Sequence, residues 1–541
     1  MLLFLAFMVA LSITAALIPV LERWAPMIGL TDPPGPRKVH SAPVPRVGGL
    51  AMAVGMLVPI VLTLDLSRAV YGLIAGILVL LLFGLWDDRK PLGYRIKFGG
   101  QILAVALCMM IGGVRIGAIT IAGIEVFPAA VSTLLTFVFL IGITNAVNLA
   151  DGLDGLAGGL VLLCLCAVAL FAAAGGGTAV TAVALIEAGA ILGFLRFNTH
   201  PARIFMGDSG SQVLGFSVGV LALLATQSSS SAVSPALPLL LLGLPIIDTV
   251  TVMWTRIRAG RSPFVADSSH LHHRLLGLGL SHREAVLTVY LMQVGLVLLA
   301  YFLRFQSDVI VTLTFFAFAV LLLAFLSWAS RAGWHAHGHQ AIARKRLIDY
   351  LPTSRLAAVA VVVMSTCLTV YATTVVASSG RVRADVGALS LAMLLVLLLG
   401  SWKATASAPW SERACVYLSV VLLVYLDQTV PDKPAFMATA SWTLIGVTGA
   451  AALLRFWLST TRRFEVTTLD LLVIFIALVM PNLPGSIALP AELAAGVAKA
   501  VILLYVVEML LTNNLRRLIP RIALITLLAV ICGRALIAAG A

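Results

Sequence analysis

The sequence predicts an all-α fold, that of a polytopic helical integral membrane protein, and two observations lead to it. Of the 541 residues, 61% are hydrophobic and only 11% are charged, and the mean hydropathy is +1.07. Runs of about 20 apolar residues, the length that crosses a bilayer as a helix, recur along the whole chain. A soluble domain carries about 25% charged residues. The chain is therefore expected to lie in a lipid bilayer.

The positions of the basic residues predict the topology. The net charge of +13 raises the question of nucleic-acid binding. If the apolar runs cross the membrane in alternation, however, the loops on one side hold about 28 of the 36 Lys and Arg residues. Cytoplasmic loops collect basic residues, so we expect that side to be cytoplasmic, the N-terminus to lie outside, and no nucleic-acid partner. The first run has no basic segment before it, which favours an uncleaved helix over a signal peptide.

The apolar runs fall into two sets. Eleven precede residue 356 and predict about 11 membrane helices, and about seven more follow, up to residue 539. The basic segment Arg344–Arg355 separates them. We therefore predict one membrane domain at residues 1–340 and an additional multi-helix membrane domain of unknown function at residues 341–541. The first eleven runs lie near residues 2–22, 48–66, 69–86, 98–113, 127–147, 157–174, 179–197, 210–227, 235–255, 285–303 and 308–328.

Five polar segments interrupt the first set, all on the predicted cytoplasmic side. The first, Asp32–Gly49, is rich in proline, which prevents a helix and favours an extended chain. It would project Lys38, His40 and Arg46 into a shared space. The segment reads either as a stiff basic loop beside the membrane or as a flap that faces a phosphate.

The second segment, Trp86–Lys97, follows the end of a membrane helix. Its adjacent carboxylates, Asp87 and Asp88, oppose the helix dipole, so helix capping does not explain them. Lys90 and Lys97 come after the pair. A solvated turn is one interpretation, and a site for a phosphate nucleophile or a metal ion is the other.

The third segment, Asn145–Gly159, places amides, carboxylates and glycines at the mouth of the predicted bundle. Polar groups at membrane depth are costly and indicate function, whereas the glycines allow close approach to a ligand. Asn148, Asp151 and Asp154 are spaced by three, so successive members are neighbours on a helical surface. Such oxygens suit Mg²⁺, with substrate phosphates completing its ligands. A structural polar network is the alternative.

The fourth segment, Phe197–Phe216, holds Asp208 in a Gly-Asp-Ser-Gly turn that begins the next helix. Asp208 fits a helix N-cap. It also fits a metal–pyrophosphate site, because backbone N–H groups at a helix N-terminus bind anions.

The fifth segment, His270–Glu284, begins with the sequence HLHHR. A zinc site is disfavoured, because no cysteine lies nearby and the Arg274 guanidinium repels a cation. Imidazole and guanidinium donors that bind phosphate or sugar fit better. The residues concerned are His270, His272, His273 and Arg274.

Together the five segments predict a basic, Mg²⁺-capable pocket at the cytoplasmic membrane surface. Such a pocket contains the groups that phosphoryl transfer requires, which position the reactants and neutralise their charge. No GxxxxGK[ST] sequence is present, so a P-loop ATPase is excluded. A lipid or sugar transporter would place charges along a path to both faces, and a membrane scaffold would need no convergent polar motifs. The enzyme is the favoured interpretation.

In this order, the five motifs resemble those of the polyprenyl-phosphate N-acetylhexosamine-1-phosphate transferases, over about residues 1–330. That family includes the phospho-MurNAc-pentapeptide translocase and the GlcNAc-1-phosphate transferases of O-antigen and teichoic acid synthesis. The run HLHHRLLGLGLSHRE is more similar to the GlcNAc-1-phosphate branch. The family's members end after ten or eleven helices, so the seven or so extra runs have no counterpart.

The resemblance implies a reaction and its partners. Undecaprenyl phosphate would attack the β-phosphate of a UDP-N-acetylhexosamine to give the lipid pyrophosphoryl sugar and UMP, which begins cell-envelope polysaccharide synthesis. GlcNAc is the expected sugar, with GalNAc or a deoxy-amino sugar as alternatives, and translocase-type activity is the runner-up. The resemblance also implies a bacterial inner (plasma) membrane, and a homodimer would be in character.

The resemblance also implies roles for individual residues. Asp87 would meet the lipid phosphate, which the lysines of its segment would hold. Asp88 and Asp151 would support the centre. The metal ligands for Mg²⁺ or Mn²⁺ would be Asn148 and Asp208. The uridine pocket would comprise Lys38, Gly152, Asp154, Asn198 and Phe205. The contacts to the diphosphate or sugar would come from His270, His272, His273 and Arg274.

Overall fold

The computed structural model describes residues 2–34, 43–117, 127–227, 233–262, 270–336, 353–379, 382, 384–400, 410–429, 434–457, 491–512 and 518–540. These residues form α-helices and one two-stranded ribbon, which confirms the predicted fold class. Among them, eleven helices are long and apolar enough to cross a membrane. Lys38 and His40 lie outside the described residues.

The described residues of the first half form thirteen helices and two strands. They are α1 (Leu2–Ile28), β1 (Thr31–Asp32), β2 (Val44–Pro45), α2 (Gly48–Thr63), α3 (Arg68–Arg89), α4 (Tyr94–Gly112), α5 (Ala129–Ala150), α6 (Leu156–Ala174), α7 (Thr178–Asn198), α8 (Gly207–Thr226), α9 (Pro238–Leu241), α10 (Gly243–Arg258), α11 (Leu271–Gly277), α12 (His282–Leu303) and α13 (Asp308–Arg331).

The described residues of the second half form six helices, where the sequence predicted about seven. They are α14 (Thr353–Ser378), α15 (Ala384–Gly400), α16 (Trp410–Gln428), α17 (Ala435–Trp457), α18 (Ala491–Thr512) and α19 (Leu518–Gly540). The predicted boundary at residues 340–341 lies outside the described residues. The two halves touch where α1 packs on α16 and α18, and where the Arg196 guanidinium lies 5.5 Å from the centre of the Tyr417 ring.

The core of the first half is built around α8. In its most apolar stretch of 18 residues, 94% of the residues are buried, compared with 89% in α6 and 39% in α3. Helices α2, α3, α5 and α6 pack around α8. Small residues permit the close packing: a Cβ on Gly84 of α3 would lie 2.4 Å from the Ser209 Cα. The outer helices expose leucine, valine and phenylalanine side chains, as expected of surfaces that face lipid.

The ninth predicted run, near residues 235–255, is two helices and not one. The helix breaks at Leu242 because Pro245 has no N–H to donate to the Leu241 carbonyl. That carbonyl accepts instead from Gln293 Nε2 at 2.7 Å, and the Cys164 thiol lies 3.0 Å from it. Side chains of α12 and α6 therefore satisfy the carbonyl that the break leaves free.

The proline-rich segment is extended at both of its described ends, as predicted. Strands β1 and β2 pair antiparallel, with Thr31 opposite Pro45 and Asp32 opposite Val44. The ribbon continues into backbone hydrogen bonds that reach the start of α8, from the Phe205 N–H to the Pro45 carbonyl and from the Gly48 N–H to the Phe205 carbonyl. The ribbon therefore fixes the loop that leads into α8 and Asp208.

Candidate active site

A cavity of about 720 Å³ opens at one end of the bundle, where the polar segments meet. The C-terminal ends of α3, α5 and α7 and the N-terminal ends of α4, α8 and α12 surround it. Eleven of the predicted site residues line it. They are Asp87, Asp88, Lys97, Asn148, Asp151, Gly152, Asp154, Asn198, Phe205, Asp208 and His273.

The Lys97 ammonium lies between two carboxylates at the centre of the cavity. Its Nζ is 2.5 Å from Asp87 Oδ2 and 2.7 Å from Asp208 Oδ2. The other Asp87 oxygen accepts from the Leu92 N–H at 2.5 Å. Two carboxylates that approach one cation are a geometry that a divalent metal ion also satisfies.

Asn148 orients the second carboxylate. Its amide Nδ2 donates to Asp208 Oδ1 at 2.7 Å and to Ser211 Oγ at 2.8 Å. Both Asp208 oxygens are therefore held, one by the amide and one by Lys97. Asn145, one turn earlier, hydrogen-bonds to Gln101 and does not line the cavity.

Asp88 has a different role from its neighbour. Its Oδ1 accepts from the Asp208 N–H at 2.8 Å, and its Oδ2 accepts from the Ser209 N–H at 3.0 Å and the Ser209 hydroxyl at 2.7 Å. A carboxylate from the end of α3 thus caps the N-terminus of α8, where anions are favoured. An N-cap was one of the two interpretations of Asp208, and it is Asp88 that accepts from these backbone N–H groups.

The turn between α5 and α6 carries Asp151 into the cavity. Among the described residues no hydrogen bond to its carboxylate is present. Burial raises the pKa of Asp151 to about 7, and the nearby carboxylates of Asp208, Asp88 and Asp154 add to the shift. A bound cation would have the opposite effect on this pKa.

The histidine segment packs on the same turn. A Cβ on Gly152 would lie 2.4 Å from His272 Cε1 and Nε2, so only glycine fits there without displacing the ring. Burial, together with the charge of His273, lowers the pKa of His272 to about 4. His272 is therefore a neutral ring at pH 7 and supports the turn from behind the cavity.

The segment is anchored by Asp248 of α10, which the sequence analysis missed. Asp248 Oδ1 accepts from the Leu271 N–H at 2.6 Å, and Asp248 Oδ2 lies 2.9 Å from His270 Nδ1. Burial lowers the pKa of Arg274, an effect that the Asp248 charge opposes. An acidic residue within an amphipathic helix is usually exposed to solvent, so the sequence around Asp248 did not indicate a role in the site.

Asp154 faces two more histidines that the sequence analysis did not single out. Its Oδ2 lies 2.7 Å from His200 Nδ1 and accepts from the Ala202 N–H at 3.1 Å. The His282 ring stacks on that of His200, with centroids 4.1 Å apart. His200 belongs to the fourth segment and His282 to the fifth, but only the fold shows that they meet.

Asn198 joins two loops of the predicted uridine pocket. Its Oδ1 accepts from the Gly155 N–H at 2.9 Å and its Nδ2 donates to the Ile204 carbonyl at 2.9 Å. Both polar atoms are thus used within the protein. Asn198 therefore holds the Asp154 turn against the Phe205 loop, whose aromatic side chain lines the cavity.

Of the remaining residues that the sequence singled out, three histidine-segment residues and Lys90 do not line the cavity, whereas Arg46 does. Lys90 is the exposed C-cap residue of α3, and it does not line the cavity. His270, His272 and Arg274 lie behind the cavity wall rather than on it. Arg46, which pairs with Asp32 of the ribbon, does line the cavity. The assigned roles of all these residues stay predictions.

These features define a class: a polytopic membrane protein with a cavity at one end of its helices, in which several carboxylates surround a lysine. Comparison with known proteins makes the class specific. The sequence profile of the family described as glycosyl transferase family 4 matches residues 70–226.

The chain is similar to several curated proteins over about half of its length. It is 37% identical over 289 residues to a probable undecaprenyl-phosphate N-acetylglucosaminyl 1-phosphate transferase of Bacillus subtilis, covering 53% of this chain and 80% of that one. It is 38% identical to a decaprenyl-phosphate N-acetylglucosaminephosphotransferase of Mycolicibacterium smegmatis (48% and 71% covered). It is 30% identical to an undecaprenyl-phosphate alpha-N-acetylglucosaminyl 1-phosphate transferase of Escherichia coli O157:H7 (49% and 74% covered). The chain belongs to glycosyl transferase family 4.

Proposed function

We propose that this protein transfers GlcNAc-1-phosphate from UDP-GlcNAc to undecaprenyl phosphate, giving undecaprenyl-pyrophosphoryl-GlcNAc and UMP. The observation that carries the proposal is the position of the Lys97 ammonium between Asp87 and Asp208, in a cavity at one end of the helix bundle. The names of the three relatives supply the sugar and the class of acceptor. They favour GlcNAc over a translocase-type substrate.

The cavity suits a magnesium ion. Mg²⁺ prefers oxygen ligands, of which a few come from protein carboxylates and the rest from water and substrate phosphates. Asp208 and Asn148 would hold the ion, and Lys97 occupies a cation's position beside Asp208 in the structure. Bound there, Mg²⁺ or Mn²⁺ would neutralise charge on the diphosphate.

The proposed chemistry is one displacement at phosphorus. An oxygen of the lipid phosphate forms a bond to the β-phosphorus of the nucleotide sugar, and the bond from that phosphorus to the bridging oxygen breaks, so that UMP leaves. The lipid phosphate is largely ionised at neutral pH and needs little help from a base. Both Asp87 oxygens are already engaged, with Leu92 and Lys97. We therefore assign Asp87 to positioning, and an Asp87→Asn enzyme with full rate would remove that role.

The proposed location is a bacterial inner membrane, with the N-terminus outside and the cavity facing the cytoplasm. Exposed aromatic side chains, which favour the membrane interface, stand at the helix ends on the cavity side. They include Trp24, Trp86, Tyr94 and Trp328. Arg89 and Arg331 end helices on that side, which agrees with a cytoplasmic face.

The test is UMP release by the full-length protein in detergent, with undecaprenyl phosphate, Mg²⁺ and one UDP-sugar at a time. We expect release with UDP-GlcNAc and loss of release with EDTA or in Asp208→Ala. The matched control is Asp65→Ala, which removes an exposed aspartate between α2 and α3, at the other end of the bundle. It should keep the wild-type rate.

Three results would count against the proposal in different ways. Release only with another UDP-sugar would keep the reaction and change the donor. Release that survives both EDTA and Asp208→Ala would refute the metal site. No release from well-folded protein with any UDP-sugar would refute the function.

A further inference from the structure

A second group of possible metal ligands lies on another wall of the same cavity. Asp154, His200 and His282 each offer one ligand atom, and the three atoms lie within 4.8 Å of one another. All three side chains are partly exposed and line the cavity, so an ion can enter from solvent. The group is distinct from Asp208 and Asn148, with which none of its three side chains forms a hydrogen bond in the described structure.

The spacing of the group is close to that of a metal site. Ligand atoms around a tetrahedral zinc ion lie about 3.3 Å apart, as follows from bonds of about 2.0–2.1 Å. Asp154 Oδ2 and His200 Nδ1 are 2.7 Å apart, and the His282 ring already stacks on that of His200. Because all three ligand atoms lie within 4.8 Å of one another, side-chain shifts of at most about 1.5 Å would bring them to that spacing.

The chemistry of the group differs from that of the oxygen-rich centre. Two imidazoles and one carboxylate suit zinc, nickel, cobalt and copper, whereas Mg²⁺ prefers oxygen ligands alone. Affinity for such a site rises from cobalt through nickel to copper. Millimolar Mg²⁺ therefore does not compete well for this group.

Binding would also displace what the group does now. A hydrogen bond joins His200 Nδ1 and Asp154 Oδ2, and a metal ion that bound both atoms would replace the proton between them, which would pass to His200 Nε2 or to solvent. The Asp154 carboxylate would then no longer be available to bind the uridine of a nucleotide. The Ala202 N–H would keep the carboxylate in place, because it donates to the same Asp154 oxygen.

We infer that Asp154, His200 and His282 form a binding site for a first-row transition-metal ion, and that an ion bound there excludes the sugar nucleotide from the cavity. The binding rests on geometry alone, whereas the exclusion rests on the proposed function. The site would make the enzyme sensitive to zinc or nickel even when Mg²⁺ is saturating.

The first measurement is of binding and needs no turnover. Co²⁺ is titrated into the full-length protein in detergent with saturating Mg²⁺. Its visible absorption becomes stronger when imidazole nitrogens replace water and the ion has only four or five ligands. We expect the absorption to saturate as Co²⁺ is added. The affinity for Co²⁺ should be lower by about tenfold or more in His200→Asn and in His282→Asn. The control is His335→Asn, which removes an exposed histidine outside the group and should leave the titration unchanged.

A second variant separates this site from the neighbouring histidine segment. In His273→Asn the Co²⁺ titration should be unchanged. Loss of the spectrum in His273→Asn and its retention in His200→Asn would overturn the assignment, as would a wild-type protein with no saturable spectrum. Circular dichroism and thermal unfolding establish that each variant is folded.

The second measurement is inhibition of UMP release by Zn²⁺. We expect competition with UDP-GlcNAc but not with Mg²⁺, and an inhibition constant at least about tenfold higher in His282→Asn, measured relative to that variant's own uninhibited rate. Co²⁺ binding without zinc inhibition would keep the site and overturn the exclusion. Binding by a protein that releases no UMP would leave the metal site standing while the proposed function falls.

Discussion

The Asp88 carboxylate gives the most specific prediction, because the three hydrogen bonds described for it all come from the start of α8. It accepts hydrogen bonds from the Asp208 and Ser209 N–H groups and from the Ser209 hydroxyl, and its side chain is buried. Replacement by alanine would leave two backbone donors of a helix N-terminus without that acceptor. We expect the first turn of α8, and with it Asp208, to lose its fixed position.

The magnitude follows from those bonds. A hydrogen bond to a charged group contributes about 1.5–3 kcal/mol. Asp88→Asn keeps one acceptor oxygen but turns an NH₂ group towards a donor, so we expect it to lose the equivalent of one such bond. Since each 1.4 kcal/mol is about a factor of ten, kcat should fall roughly 10- to 150-fold. Asp88→Ala should fall further.

The assay is steady-state UMP release at saturating UDP-GlcNAc and lipid, with Mg²⁺ varied. A residue that positions Asp208 should lower kcat and raise the Mg²⁺ concentration needed for half-maximal rate. Ser209→Ala serves as the comparison, because it removes only the hydroxyl bond and keeps both backbone bonds to Asp88, so its kcat should fall less than that of Asp88→Ala. An Asp88→Ala enzyme within twofold of wild type, with an unchanged Mg²⁺ requirement, would refute the reasoning.

Three further predictions concern other parts of the structure. Gly152→Ala should lower activity by about tenfold or more, because its Cβ would meet the His272 ring at 2.4 Å; Gly142→Ala, where nothing lies within 4 Å, is the control for UMP release. Lys499→Met should destabilise the protein by about 3–5 kcal/mol, because it removes the ammonium that balances the charge of the buried Asp427 carboxylate. The added Asp427→Leu change should recover much of that loss, as measured by thermal unfolding. The pKa of Asp151 is raised to about 7, and its ionised form favours a nearby cation, so the Mg²⁺ affinity should weaken as the pH falls below about 7. Calorimetry should show a weaker dependence of the Mg²⁺ affinity on pH in Asp151→Asn. The same pH dependence in both proteins would show that Asp151 is not its cause.

Much of the site could be predicted because its residues are unusual for a membrane protein. Asp87, Asp151 and Asp208 end or begin apolar helices, where a charge is costly, so each stands out from its surroundings. Their convergence followed from alternating helix direction, which brings those ends to one side of the membrane. The structure confirms that they line one cavity.

What the sequence did not reveal depends on contacts between distant segments. Asp248 and His270 are 22 residues apart and Asp154 and His282 are 128 apart, so neither pairing has a local pattern. The break at Leu242 was missed because the run is apolar on both sides and Pro245 alone does not end a buried segment. Asp88 and Asp87 are equivalent by sequence, and only the position of α8 separates their roles.

The Lys97 side chain provides the cavity with a counter-ion that belongs to the chain itself. Its ammonium lies against two carboxylates that would otherwise repel each other across a partly desolvated space. The charge that a divalent ion would balance is thus already partly balanced by the chain itself. Chelation should accordingly stop turnover without unfolding the bundle, and the protein can remain assembled between the departure of one nucleotide and the arrival of the next.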